Sequence, residues 1–229
     1  MKKVFITLLS LAISSKSIAQ DCMGLPIKIG MGFEMLTYNA KDKPTGRINY
    51  QIKEVKSEGG ATLMKMEMQV VDEKNKPQSA TAFTCRCKGN EMSIETTSLA
   101  SSMDNPMLKD AKMQFTSKDM VYTNNYQVGT TLPDASLEGS GDISGMAVSY
   151  SMNITNRKIA SQENLTVPAG TFNAYKITSD SRVNTRTIVN VGLDFQTTSY
   201  RTPNVLWDLK TESYRNGKLM SYSVLSKIF

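Results

Sequence analysis

Apolar and polar residues alternate at period two along most of the chain, in segments separated by Gly, Pro, Asn and Asp. Met146, Val148, Tyr150, Met152 and Ile154 alternate with Ala147, Ser149, Ser151, Asn153 and Thr155, so an extended strand there has one apolar and one polar face. The same alternation places Ile48, Tyr50 and Ile52 on one face, and likewise Met64, Met66, Met68 and Val70. Val189, Val191, Leu193 and Phe195 repeat it, and Met220, Tyr222 and Val224 follow after Asn216-Gly217. Asn-Gly is the strongest two-residue hairpin signal because both positions take positive φ, so Leu209 to Arg215 and Lys218 to Ser226 are expected to pair. Strands with one wet face belong to antiparallel sheets. The expected fold is therefore all-β and mainly antiparallel, a strongly curved sheet or half-barrel.

Helical periodicity is scarce. Ser98 to Lys109, interrupted by Asn105-Pro106, is the one candidate for a short helix against the sheet. Gly129 to Gly145, with Gly139-Ser140-Gly141 inside it, reads as a connection that has room for one strand. No linker composition separates the strands on its two sides, so residues 20–229 are expected to form a single β-rich domain.

Residues 1–19 read differently. Met1, Lys2 and Lys3 precede an apolar run from Val4 to Ile13, and Ser17-Ile18-Ala19 closes it with small residues at positions −3 and −1 of a cut. That order is a secretory signal peptide cut after Ala19. The run is shorter than the ~20 residues a spanning helix needs, and no transmembrane segment is expected in the mature chain. Asp21 and Gln20 before Cys22 suit lipobox acylation poorly, which argues against a lipoprotein anchor. The expected destination is the periplasm of a Gram-negative bacterium or the exterior. Removing 19 of the 229 residues leaves 210, enough to bury a core. The leader carries three lysines and no acidic residue, so the net charge falls from +6 to +3, without the basic stripe that nucleic-acid binding requires.

The three cysteines, Cys22, Cys85 and Cys87, enter an oxidising compartment. On one strand Cys85 and Cys87 would stand roughly 6.5 to 7 Å apart, at or beyond the usual span of a bridge. Pairing of Cys22 with either one is the expectation, and three reduced thiols are the alternative. The chain has no histidine, which removes histidine-based nucleophilic triads and histidine-ligated metal centres. Gly141-Asp142-Ile143-Ser144-Gly145 lacks the central serine of a nucleophile elbow and reads as a turn. No cofactor is expected, and the chain is read as non-enzymatic.

Fifteen methionines stand out. Met64-Lys65-Met66-Glu67-Met68 could offer three thioethers to a soft ion, but filling of irregular apolar space is the simpler use. A third reading groups Met64, Met66 and Met68 with Met146, Val148, Tyr150 and Met152 as a concave apolar face for a hydrophobic ligand or a lipidated partner. The alternative role is structural: assembly with other envelope proteins through sheet edges.

Three stretches carry a family resemblance. They are Val128-Gly129-Thr130-Thr131-Leu132-Pro133-Asp134-Ala135, Thr155-Asn156-Arg157-Lys158, and the run Glu163 to Ile177 with Val167-Pro168-Ala169-Gly170-Thr171-Phe172 at its centre. This order and spacing resembles the TapB-like family of exported β-rich proteins, close to a domain-of-unknown-function family of bacterial envelope proteins. The resemblance implies a β-rich envelope protein and supplies no active site. Where that family has a glycine before its penultimate strand, Pro203-Asn204-Val205-Leu206-Trp207 stands instead. Independently of any family, Pro168 and Gly170 mark a turn between two paired strands.

Overall fold

A computed structural model describes residues 20–101, 113–143, 145–187 and 189–229, so the leader 1–19 and most of the expected helix 98–109 lie outside the described residues. The strands follow one another almost entirely as hairpins. A two-stranded ribbon, β1 (Asp21–Cys22) and β2 (Leu25–Pro26), leads into β3 (Gly32–Asn39), β4 (Pro44–Glu58), β5 (Ala61–Asp72), β6 (Pro77–Lys88) and β7 (Glu91–Ile94). A short helix α1 (Thr96–Ser101) comes next, then β8 (Gln114–Lys118), β9 (Met120–Thr123) and β10 (Ala135–Ile143). The chain continues through β11 (Met146–Val167), β12 (Gly170–Arg186), β13 (Asn190–Arg201), β14 (Lys210–Arg215) and β15 (Lys218–Ile228).

Thirteen of these strands form one antiparallel sheet in the order β8-β10-β11-β12-β13-β14-β15-β3-β4-β5-β6-β7-β9. The two strands at its ends, β8 and β9, are neighbours in sequence, joined by Asp119 alone. One extended segment thus pairs with β10 through its first half and with β7 through its second. The sheet is rolled into a nearly closed, barrel-like strip, further round than a half-barrel, and α1 rests beside this seam on β6, β8 and β10. Thr96 Oγ1 bonds to the Ser136 carbonyl across the seam at 3.4 Å.

The turns show why the register holds. Asn39 Oδ1 accepts from the amides of Lys41 and Lys43, and Asp72 Oδ1 accepts from those of Lys74 and Lys76, so two hairpins share one side-chain device. At Asn216-Gly217 both residues have positive φ, 51° and 72°, as the hairpin signal requires. The Val167–Gly170 turn joins β11 and β12, also as the sequence indicates. The Gly129–Gly145 stretch holds one strand, β10, and Gly139-Ser140-Gly141 lies inside it. A side chain at Gly139 would meet the Phe115 ring of β8 at 2.5 Å, so the glycine is there to admit that ring.

β11 and β12 are long enough to bend. Asn156 has φ 54° and lies within a register shift between Thr155 and Lys158, which a second follows between Ile159 and Ser161. The bulge turns Arg157 into the interior. It also folds the hairpin tip back, so that the Ala169 amide bonds to the Leu225 carbonyl at 3.1 Å and Val167 and Ala174 join Leu209 and Leu225 in the core.

Candidate functional site

The residues singled out from sequence separate into two places. Met64 and Met66 are fully buried, and Met68 is half-buried. Register sets Met66 between Ile52 and Phe83, and Met68 between Tyr50 and Thr81. The loop between β13 and β14 closes this apolar face by inserting Val205, Leu206 and Trp207. The Trp207 ring centroid is 4.4 Å from that of Tyr50 and 6.1 Å from those of Phe33 and Phe83. Here the methionines fill a packed core against a plug, with the thioethers of Met64 and Met66 shut off from solvent.

Met146, Val148, Tyr150 and Met152 lie on β11, with six strands between it and β5 in the sheet order, and none of them belongs to the core cluster that holds Met64, Met66 and Met68. Across β10 to β13 the register lines up Leu137, Met152, Val183 and Leu193 in one row. Gly139, Tyr150, Thr185 and Val191 form the next row, and Ala135, Ile154, Ser181 and Phe195 another. Val148 and Leu137 are buried, while Tyr150, Met152, Val183, Leu193 and Phe195 are only partly covered. Towards the strand ends Met146, Val189 and Val191 are 50%, 64% and 53% exposed.

The opposite face of the same strands is polar. Ser136, Asn153, Arg182 and Asp194 form one row, and Thr155, Asp180, Gln196 and Tyr214 form another. Arg182 Nε lies 3.7 Å from Asp194 Oδ1, and Asn156 Nδ2 donates to Asp180 Oδ2 at 2.8 Å.

A buried polar cluster sits beside the plug. Arg201, the last residue of β13, is 1% exposed; its Nη2 donates to the Leu206 carbonyl at 2.6 Å and its Nη1 is 3.4 Å from Asp208 Oδ1. The guanidinium stands 3.9 Å over the Tyr122 ring, and Arg157 approaches the same ring at 5.1 Å while donating to the Pro133 carbonyl. Burial pushes the Tyr122 and Tyr126 phenols up. Burial also raises the Asp208 carboxyl, against the pull of Arg201 beside it. The cluster pins the loops 124–134 and 202–209 to the strands; Arg157, Arg201 and Tyr122 are buried, and the Asp208 side chain is 19% exposed. Among the described residues, Arg201 Nε and Asp208 Oδ1 have no hydrogen-bond partner, Oδ1 meeting Nη1 only as an ion pair.

Cys22 is bonded to Cys87 over a sequence separation of 65, tying the β1–β2 ribbon to the end of β6. Cys85 is free, buried between Met64 and Ile94, and burial pushes its thiol up to about 12. At neutral pH it holds its proton and is a poor nucleophile. Among the described residues, no three His, Cys, Asp or Glu side chains converge as a metal site, and no helix is long and apolar enough to cross a membrane.

Sequence reasoning missed Arg157, Arg201 and Asp208 because charged residues are normally solvated and nothing local marks these three for burial. Trp207 carried a faint signal as the single tryptophan, set in a segment without strand periodicity.

An all-antiparallel meander rolled into a nearly closed strip around a plug, with a disulfide-tied ribbon at its start, defines a β-barrel-like class of protein. Residues 28–225 match the model of the DUF3108-like family, and the chain belongs to that family. Two solved structures share the fold. A Bacteroides fragilis protein assigned as exported, with a YmcC-like fold, superposes with a TM-score of 0.65 at 19% identity, over 89% of this chain and 97% of the other. A Parabacteroides distasonis protein assigned as a lipoprotein superposes with a TM-score of 0.66 at 19% identity, over 92% and 100%. Among curated proteins, none matches the chain.

Proposed function

We propose that this is an exported, non-enzymatic envelope protein that holds a hydrophobic ligand, or the acyl chain of a lipidated partner, on the apolar face of β10 to β13. The observation that carries the reading is the Leu137–Met152–Val183–Leu193 row, which runs out into the exposed side chains of Met146, Val189 and Val191. A continuous partly covered apolar strip of this kind marks a binding surface on an otherwise solvated sheet. The leader supports export, as do the assignments of the two structural relatives, and the resemblance to TapB-like proteins is compatible with an envelope role. The Cys22 sulfur is engaged with Cys87, which favours a chain without an acyl anchor at that residue.

The sheet-edge alternative has less support. The edge strands β8 and β9 span five and four residues and are continuous with each other, and α1 lies against β8. Short, covered edges are poor templates for pairing with another chain.

Mass spectrometry of lipids copurifying with the exported protein tests the proposal, with Met152→Asp and Leu193→Asp as comparators. Acyl lipids are expected with the native chain and lost from both variants. A native chain without lipid, or variants that retain the same lipid, overturns the reading.

A further inference from the structure

The polar face of β11 to β13 is hollowed, whereas a solvated sheet face needs only to be polar. A hollow of about 540 Å³ is lined by Asn153, Thr155, Asp180, Arg182, Asp194 and Gln196, with the Asn216-Gly217 turn at its rim. A second, of about 430 Å³, shares Asp180, Gln196 and Gly217 with the first and extends to Lys176, Thr198 and Tyr214. A third, of about 500 Å³, continues past Ser151 and Asn184 to Arg186. From Lys176 to Arg186 along β12 the trough is roughly 30 Å long, at about 3.3 Å per residue.

We infer that this trough is a binding site for an extended, neutral oligosaccharide. Three observations select that class. The charges in the lining balance, with Asp180, Asp194 and Glu138 against Arg182, Arg186 and Lys176, so there is no surplus field to draw in a polyanion or a polycation. The remaining side chains on this face are mostly amides and hydroxyls, which offer donors and acceptors side by side, as the hydroxyl groups of a sugar demand. Tyr214 adds an aromatic ring at one end, its hydroxyl committed to Glu212 Oε2 at 3.0 Å; such a ring stacks on the apolar face of a pyranose. A trough of this length fits several sugar units in a row. The site lies on the opposite side of the sheet from the apolar strip and does not depend on the lipid reading.

Backbone amide NMR of the mature protein, titrated with maltohexaose, chitohexaose and laminarihexaose, tests the inference, with a heparin hexasaccharide as the polyanionic comparator. At least one neutral hexasaccharide is expected to shift the amides around Asn153, Arg182, Asp194 and Gln196, with a dissociation constant of about 1 mM or tighter. Asp194→Ala combined with Gln196→Ala is expected to weaken that binding roughly fivefold or more, without lowering the melting temperature. Met152→Asp, on the other face, is expected to leave it unchanged. The inference is overturned if all three neutral sugars leave this face unshifted at about 10 mM. It is equally overturned if heparin binds more tightly than they do, or if the double variant binds like the native chain.

Discussion

The sheet around β5 and the sheet around β11 are written in the same alternating code, yet only the first is a sealed core. On β5 the apolar face carries Met64 and Met66, and the loop bearing Trp207 folds in to cover it. On β11 Met152 and Tyr150 present the same kind of face, and cover is only partial, with Met146 exposed at the strand's start. The difference lies in what the remainder of the chain lays over each face. Alternation specifies sidedness, and sidedness alone does not separate a core from a surface that awaits a partner.

The largest break in this comparison comes from the ribbon that tethers the sealed half. Cys87→Ser is expected to destabilise the protein by about 4 kcal/mol, the loss for a crosslink closing a loop of this size. Urea unfolding of native and variant chains measures it, and hydrogen exchange is expected to rise first in β6 and β7. An unchanged urea midpoint would show that the tether contributes nothing to the sealed half.

A paired substitution sharpens the contrast itself. Met66→Ala empties fully packed space and is expected to cost about 2 to 5 kcal/mol, whereas Val191→Ser on the open strip is expected to cost under about 0.5 kcal/mol. Equal losses in thermal unfolding would mean that both faces are covered alike.

A smaller and more gradual effect follows from proton linkage. The Cys85 thiol moves from 9.0 to about 12 on burial, so the native state keeps a proton that the unfolded chain gives up. Its contribution is complete below about pH 9 and is lost as pH rises towards 12, at up to about 1.4 kcal/mol per pH unit. Burial raises the phenols of Tyr50, Tyr122 and Tyr126 in the same sense, which steepens the loss above about pH 10. Urea midpoints measured from about pH 8 to 11 are expected to hold to about pH 9 and to fall from there, and Cys85→Ala is expected to remove the earliest part of the decline. A midpoint flat to about pH 11 would contradict the dry interior described for the sealed half.

Much of this architecture was legible because hairpins are local. The Met146–Thr155 alternation, Asn216-Gly217 and the Val167–Gly170 turn each announce their geometry within a few residues. Gly139-Ser140-Gly141 left connection and strand both open, because glycines that admit a neighbouring ring look the same in sequence as glycines that turn. The plug and the Arg157–Tyr122–Arg201–Asp208 cluster were illegible for another reason: each member is ordinary alone, and only the rolled sheet brings them together. That Met64 and Met66 are sealed while Tyr150 and Met152 are only partly covered was equally out of reach, since the alternation is the same on both strands.

The junction at Asp119 bears on how the molecule forms. Nearly every other pairing joins strands consecutive in the chain, so those contacts can form early, hairpin by hairpin. The segment from Gln114 to Thr123 must wait for β7 on one side and β10 on the other before it has both partners. The longest reach along the chain belongs to another pairing, β15 with β3, which sets Val224 opposite Leu36; that pairing is the late event, and until it forms β3 and β15 are two raw borders of the growing strip. Rapid protection of the hairpins and delayed protection between β3 and β15 would be its kinetic signature.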